Sequence, residues 1–101
     1  MQATLNGFLL EDGGETCEVS FEWGSNTYYG AETPKQRATA GQSFSYTITG
    51  LGSGRLYHFR AKAQNSRGIV YGGDQFFTTQ EEVGPIGLVD ETLFLLRIMG
   101  G

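Results

Sequence analysis

With 101 residues, 39% of them apolar and 18% charged, the chain has the size of one globular domain that must build its interior from its own hydrophobic side chains. A net charge of −4 with no basic block argues against a nucleic-acid partner. A single cysteine excludes an intramolecular disulfide, and Cys17 with His58 is too small a set to close a zinc site, so neither metal nor cofactor is expected.

Short runs of Val, Ile, Thr, Tyr and Phe, separated by many of the 16 glycines, predict strands joined by turns. Residues 3–10 place Ala3, Leu5, Gly7 and Leu9 on one face and Thr4, Asn6 and Phe8 on the other, which predicts a first strand. Asp12, Gly13 and Gly14 suit a tight hairpin, because glycine takes positive φ without steric cost. The next stretch alternates most cleanly, with Cys17, Val19, Phe21 and Trp23 facing the core and Glu18, Ser20 and Glu22 facing water. Tyr28, Tyr29 and Gly30 suggest a short edge strand, and residues 33–39 an exposed connection.

The alternation returns at 43–48, where Phe44, Tyr46 and Ile48 point inward, and again at 56–65, where Tyr57, Phe59, Ala61 and Ala63 point inward and His58, Arg60, Lys62 and Gln64 outward. After a turn at 65–68, strands at 69–71 and 75–79 complete an all-β sandwich.

The last part of the chain does not fit a solvated tail. Beyond a polar hinge at 80–87, Leu88, Val89, Leu93, Phe94, Leu95, Leu96, Ile98 and Met99 crowd a short segment. Its length favours a strand, and a short helix capped by Asp90 remains the alternative. Burying the six large apolar side chains between Leu93 and Met99 is worth on the order of 10 kcal/mol before ordering costs, comparable with the stability of a small domain. This surface therefore requires a partner. The segment is too short to span a bilayer, and the start of the chain carries neither a basic n-region nor a long apolar stretch, so cytoplasmic synthesis without a membrane span is expected.

The runs Ala3-Thr4-Leu5-Asn6-Gly7, Val19-Ser20-Phe21-Glu22-Trp23-Gly24, Ile48-Thr49-Gly50-Leu51, Leu56-Tyr57-His58-Phe59-Arg60-Ala61-Lys62-Ala63-Gln64-Asn65 and Gly73-Asp74-Gln75-Phe76-Phe77-Thr78-Thr79 together resemble fibronectin type III-like (immunoglobulin-like) repeats of microbial and phage surface and virion proteins. The resemblance covers about residues 3–79 and implies a sandwich with a binding or spacer role. It also implies a tyrosine corner, in which Tyr57, six residues after Leu51, buries its ring and hydrogen bonds to nearby backbone. Such repeats open with one more strand than this chain supplies, and stop where this chain continues for about twenty residues. The expected organisation is thus a sandwich over 1–79 lacking its opening strand, a hinge over 80–87, and a C-terminal strand or helix for assembly over 88–101. That last element is expected to pair with the free edge around Thr4, Asn6 and Phe8, within the molecule or in a neighbouring copy.

Other candidates have plainer readings. Cys17 is expected to be a buried, inert thiol and His58 a surface residue. Glu11, Asp12 and Glu15 lack the ligand ladder of a calcium loop and are expected to form a solvated turn. Trp23 is assigned to the core. Tyr28, Tyr29 and Tyr71 form a candidate ligand platform, and Arg37, Arg55 and Arg67 are expected in or beside turns. No nucleophile, phosphate loop or singled-out carboxylate pair points to an enzyme. The expected role is a non-catalytic structural or protein-binding subunit, such as a phage decoration or tail protein or a filament subunit, in a virion or extracellular assembly. Its partners would be further copies or other subunits. A carbohydrate-binding or adhesion module is the alternative.

Overall fold

A computed structural model describes residues 1–80 and the backbone path of 88–98. The hinge assigned to 80–87, apart from Gln80, and the interface residue Met99 lie outside the described residues.

The described chain is all-β. Its strands are β1 (Gln2–Asp12), β2 (Cys17–Gly24), β3 (Ala31–Glu32), β4 (Gln36–Ala38), β5 (Gln42–Ile48), β6 (Leu56–Asn65), β7 (Gly68–Tyr71), β8 (Gln75–Thr78) and β9 (Leu88–Ile98). They form two sheets. The first has the order β5-β1-β9; the second has the order β3-β2-β6-β7, with β4 also on β2 and β8 also on β6.

Alternation explains why the sheets pack face to face. Ala3, Leu5, Leu9, Phe44 and Ile48 of the first sheet meet Cys17, Val19, Phe21, Ala38, Phe59, Ala61, Ala63 and Phe77 of the second in one buried cluster. Burying a side chain such as Phe21 or Leu5 completely is worth roughly 1.5–3 kcal/mol. The Phe21 and Phe44 rings bridge the layers with centroids 5.2 Å apart. Gly7 lies under Phe44, and a Cβ there would come within 2.6 Å of that ring, so glycine lets the aromatic ring rest on the β1 backbone.

Several expectations change. Asp12, Gly13 and Gly14 do turn the chain, with φ of 67° and 84° at the glycines, but β1 and β2 join different sheets, so the turn is a crossover and not a hairpin. Tyr28 and Tyr29 lie in a turn, and the edge strand comes just after them, at Ala31–Glu32. The connection at 33–39 contains β4, which carries Arg37 and pairs with the start of β2; Thr33 and Ala38 are buried. Ser20, assigned to the water-facing side of its strand, is buried because its hydroxyl donates to Glu32 Oε2 at 2.7 Å. Tyr46 is 37% exposed, since β5 is the outer strand of its sheet. Trp23 is half-buried against the core, beside Tyr57.

The crossing from β5 to β6 is tied by hydrogen bonds to its backbone. The Gly52 N–H donates to the Tyr57 hydroxyl oxygen at 2.8 Å, Leu51 is buried, and the Leu51 N–H donates to the Met1 carbonyl at 3.1 Å. Thr79 closes the same loop by donating its hydroxyl to the Gly52 carbonyl at 2.6 Å.

Candidate functional site

Two regions stand out, the margin of the first sheet and the outer face of the second. At the margin, β1 has β5 on one side, antiparallel, and β9 on the other, parallel. The β1–β9 register pairs Gln2 with Leu88, Ala3 with Val89, Asn6 with Leu93, Gly7 with Phe94, Phe8 with Leu95, Leu9 with Leu96 and Asp12 with Ile98. It shifts twice, between Ala3 and Leu5 and between Leu9 and Glu11. The apolar segment at the end of the chain thus forms a strand, and the edge it covers is the one carrying Thr4, Asn6 and Phe8. Parallel ladders are slightly weaker per residue than antiparallel ones, and bulges interrupt them further.

On the second sheet, the tyrosines singled out in the sequence take three different positions. Tyr28 is 90% exposed, Tyr29 is buried and Tyr71 is 45% exposed. The turn that separates them is fixed from several sides. The Tyr28 N–H donates to Asn26 Oδ1 at 2.9 Å, and the Tyr29 N–H to the Asn26 carbonyl at 3.0 Å. Gly24 admits the Tyr29 carbonyl so closely that a Cβ there would lie 1.5 Å from its oxygen. Tyr29 itself adopts φ 63°, a left-handed conformation that a bulky residue holds only when its surroundings impose it, at a cost of about 1–3 kcal/mol.

Arg60 joins these parts. Its guanidinium lies 3.8 Å from the Tyr71 ring centroid and 4.7 Å from that of Tyr29, and both Nε and Nη2 reach Glu22 Oε1 at 2.7 Å. Cation–π stacking and a charge-assisted pair together fix its plane. Tyr29 donates its hydroxyl to Asp74 Oδ1 at 2.8 Å, and the other oxygen of Asp74 meets His58 Nδ1 at 2.9 Å. His58 is therefore half-buried in this chain of contacts, beside the exposed Phe76 ring, and does not project into solvent. Burial, followed by the bond to Asp74, pushes the Tyr29 phenol up to about 12. Next to it, the Ser20 hydroxyl and then the Lys62 charge hold the Glu32 carboxyl below its usual range; Lys62 Nζ lies 3.5 Å from Glu32 Oε1. Between the Tyr28 turn and the sheet lies a cleft of about 320 Å³ lined by Glu22, Tyr28, Tyr29, Gly30, Ala31, Glu32 and Arg60.

The remaining candidates are structural. Asp12 accepts from the Gly14 and Ala40 N–H groups at 2.8 and 3.1 Å. Glu15 accepts from the N–H and hydroxyl of Ser66 at 2.6 and 2.5 Å, which caps the turn between β6 and β7. Bonds to Ala40 and to Ser66, respectively, hold these two carboxyls below their usual range. Cys17 is fully buried, and burial, with the Asp12 charge adding to it, pushes its thiol up. Among the described residues no group of three or more His, Cys, Asp or Glu is placed to hold a metal ion, and no helix is long and apolar enough to cross a membrane. Arg55 and Arg67 lie in or beside turns, and the Arg67 N–H donates to Asn65 Oδ1 at 2.9 Å.

Sequence reasoning named the tyrosines and missed Arg60, Glu22 and Asp74. The signal for the first two was that both sit on the outward faces of their strands, but the pairing of Glu22 with Arg60 depends on the β2–β6 register. Comparison with protein-family models, with curated protein sequences and with solved structures returns no significant match.

Proposed function

We propose that this chain is a non-catalytic, fibronectin type III-like module that serves as a structural, protein-binding subunit of a larger assembly, such as a virion decoration or tail protein or a filament. In this reading it is made in the cytoplasm, and its partners are further copies of itself, other subunits, or both. Support for the family resemblance comes from the two packed sheets, and from the Tyr57 hydroxyl that accepts from backbone just after Leu51.

The observation that carries the assembly reading is the position of β9. It occupies the margin of the first sheet, where it pairs along β1 and with no other strand among those described. Without β9, β1 offers a row of free N–H and C=O groups, the usual template for strand addition. A strand supplied by a neighbour makes the same ladder as a strand supplied in cis, so exchange costs little beyond the loss of independent motion. If each copy gives its β9 to the next, the contact is head to tail and generates a ring or a filament.

Deletion of residues 86–101 tests this. Light scattering should show particles larger than one chain for the full-length protein, and either their loss or irregular aggregation for the truncated one. A full-length protein that stays monomeric, or a truncated one that is soluble and equally stable, contradicts the proposal.

A further inference from the structure

We infer that the cleft beneath the Tyr28 turn is a carbohydrate-binding site that takes a neutral pyranose ring. At about 320 Å³ it lies at the small end of ligand pockets, and its lining selects among ligand classes. Both carboxylates are balanced: Glu22 by Arg60 at 2.7 Å and Glu32 by Lys62 at 3.5 Å. With no net local charge, the cleft has little to offer a cation or an anion over its opposite. A peptide anchor is disfavoured as well, since it needs a dry apolar pocket and would strip water from Glu22, Glu32 and Arg60.

Hydroxyl groups suit the same lining. Each hydroxyl both donates and accepts, and the cleft presents acceptors and donors side by side. Glu22 lines the cleft and its Oε1 receives both contacts from Arg60, so its second carboxylate oxygen is the acceptor left for a ligand hydroxyl. The guanidinium is held in a fixed plane by Tyr71 and Tyr29. A ligand that replaces the hydrogen bonds of water one for one does not incur the desolvation cost that an apolar ligand would.

The aromatic wall is Tyr28. It lines the cleft and is 90% exposed on a turn whose backbone is anchored by the bonds to Asn26 and by the close approach at Gly24, so a sugar reaches its ring without displacing other side chains. The negative face of an aromatic ring attracts the C–H groups that line one side of a pyranose. The left-handed backbone at Tyr29 produces this arrangement, since it buries one tyrosine under Arg60 while turning its neighbour outward.

The test is a nuclear magnetic resonance titration of the full-length, isotope-labelled protein with glucose, galactose, mannose and N-acetylglucosamine in turn. Saturable shifts should appear at Tyr28, Ala31 and the Arg60 side chain, with a Kd of about 1 mM for the best sugar. Tyr28→Ala should weaken binding roughly tenfold, with the rest of the spectrum unchanged because the side chain is exposed. Absence of saturable shifts with all four sugars, shifts confined to a basic peptide used as a control, or undiminished affinity in Tyr28→Ala would each overturn the inference. The cleft belongs to the second sheet and β9 to the first, so this result is independent of the outcome for assembly.

Discussion

Tyr29 shows how much one position can organise. Its ring is buried, its hydroxyl bonds to Asp74, and its phenol keeps its proton up to about 12 in place of the ordinary 10.0. Above pH 10 the unfolded chain sheds this proton while the folded chain retains it, so the stabilisation from Tyr29 is intact below the ordinary tyrosine range and lost as pH rises through about 12. Melting temperatures followed into alkaline solution should fall more steeply for the parent protein than for Tyr29→Phe; equal slopes would show that Tyr29 is not the group responsible. None of this was legible from the sequence, where Tyr28 and Tyr29 are indistinguishable neighbours. What separates them is a left-handed backbone angle at Tyr29, accommodated by Gly24 at the end of β2. Leu51 and Tyr57 were singled out through the resemblance alone, and the Tyr57 hydroxyl accepts from the Gly52 N–H, next to Leu51.

At the scale of elements, β1, β2, β5 and β6 follow directly from alternation, since a strand buried on one face announces itself with period two. The elements that were missed obey no such pattern. Residues 33–39 read as polar surface, yet Thr33 and Ala38 are buried because the segment folds back onto β2, and its Thr33 hydroxyl oxygen accepts from the Phe21 N–H at 2.9 Å. Turn chemistry was equally silent on partners: the residues at 12–14 reverse the chain, but only the core decides which sheet the following strand joins. The strand β9 is set apart from the rest by its parallel, twice-shifted ladder at a sheet margin, and local opening is easiest at such places. In dilute protein, backbone amides of β9 should exchange with solvent at least about tenfold faster than those of β2 and β6. Equal protection would mean that β9 is locked into the fold and unsuited to exchange.

For the molecule as a whole, the two sheets differ in what they present. The second sheet presents a network that runs from Lys62 through Glu32 to Ser20, and from Glu22 through Arg60 and Tyr29 to Asp74 and His58. The first sheet carries the β1–β9 ladder at its margin. The measurement that bears most directly on the account is oxidation of the double variant Asn6→Cys and Leu93→Cys, positions paired in the β1–β9 register, with size read under denaturing, non-reducing conditions. Neighbouring strands bring paired residues within disulfide reach. A ladder of covalently linked dimers and higher oligomers is the predicted result. Disulfides confined to single chains would place β9 permanently in its own sheet and contradict the assembly role, and a failure of the two cysteines to join at all would contradict the pairing itself.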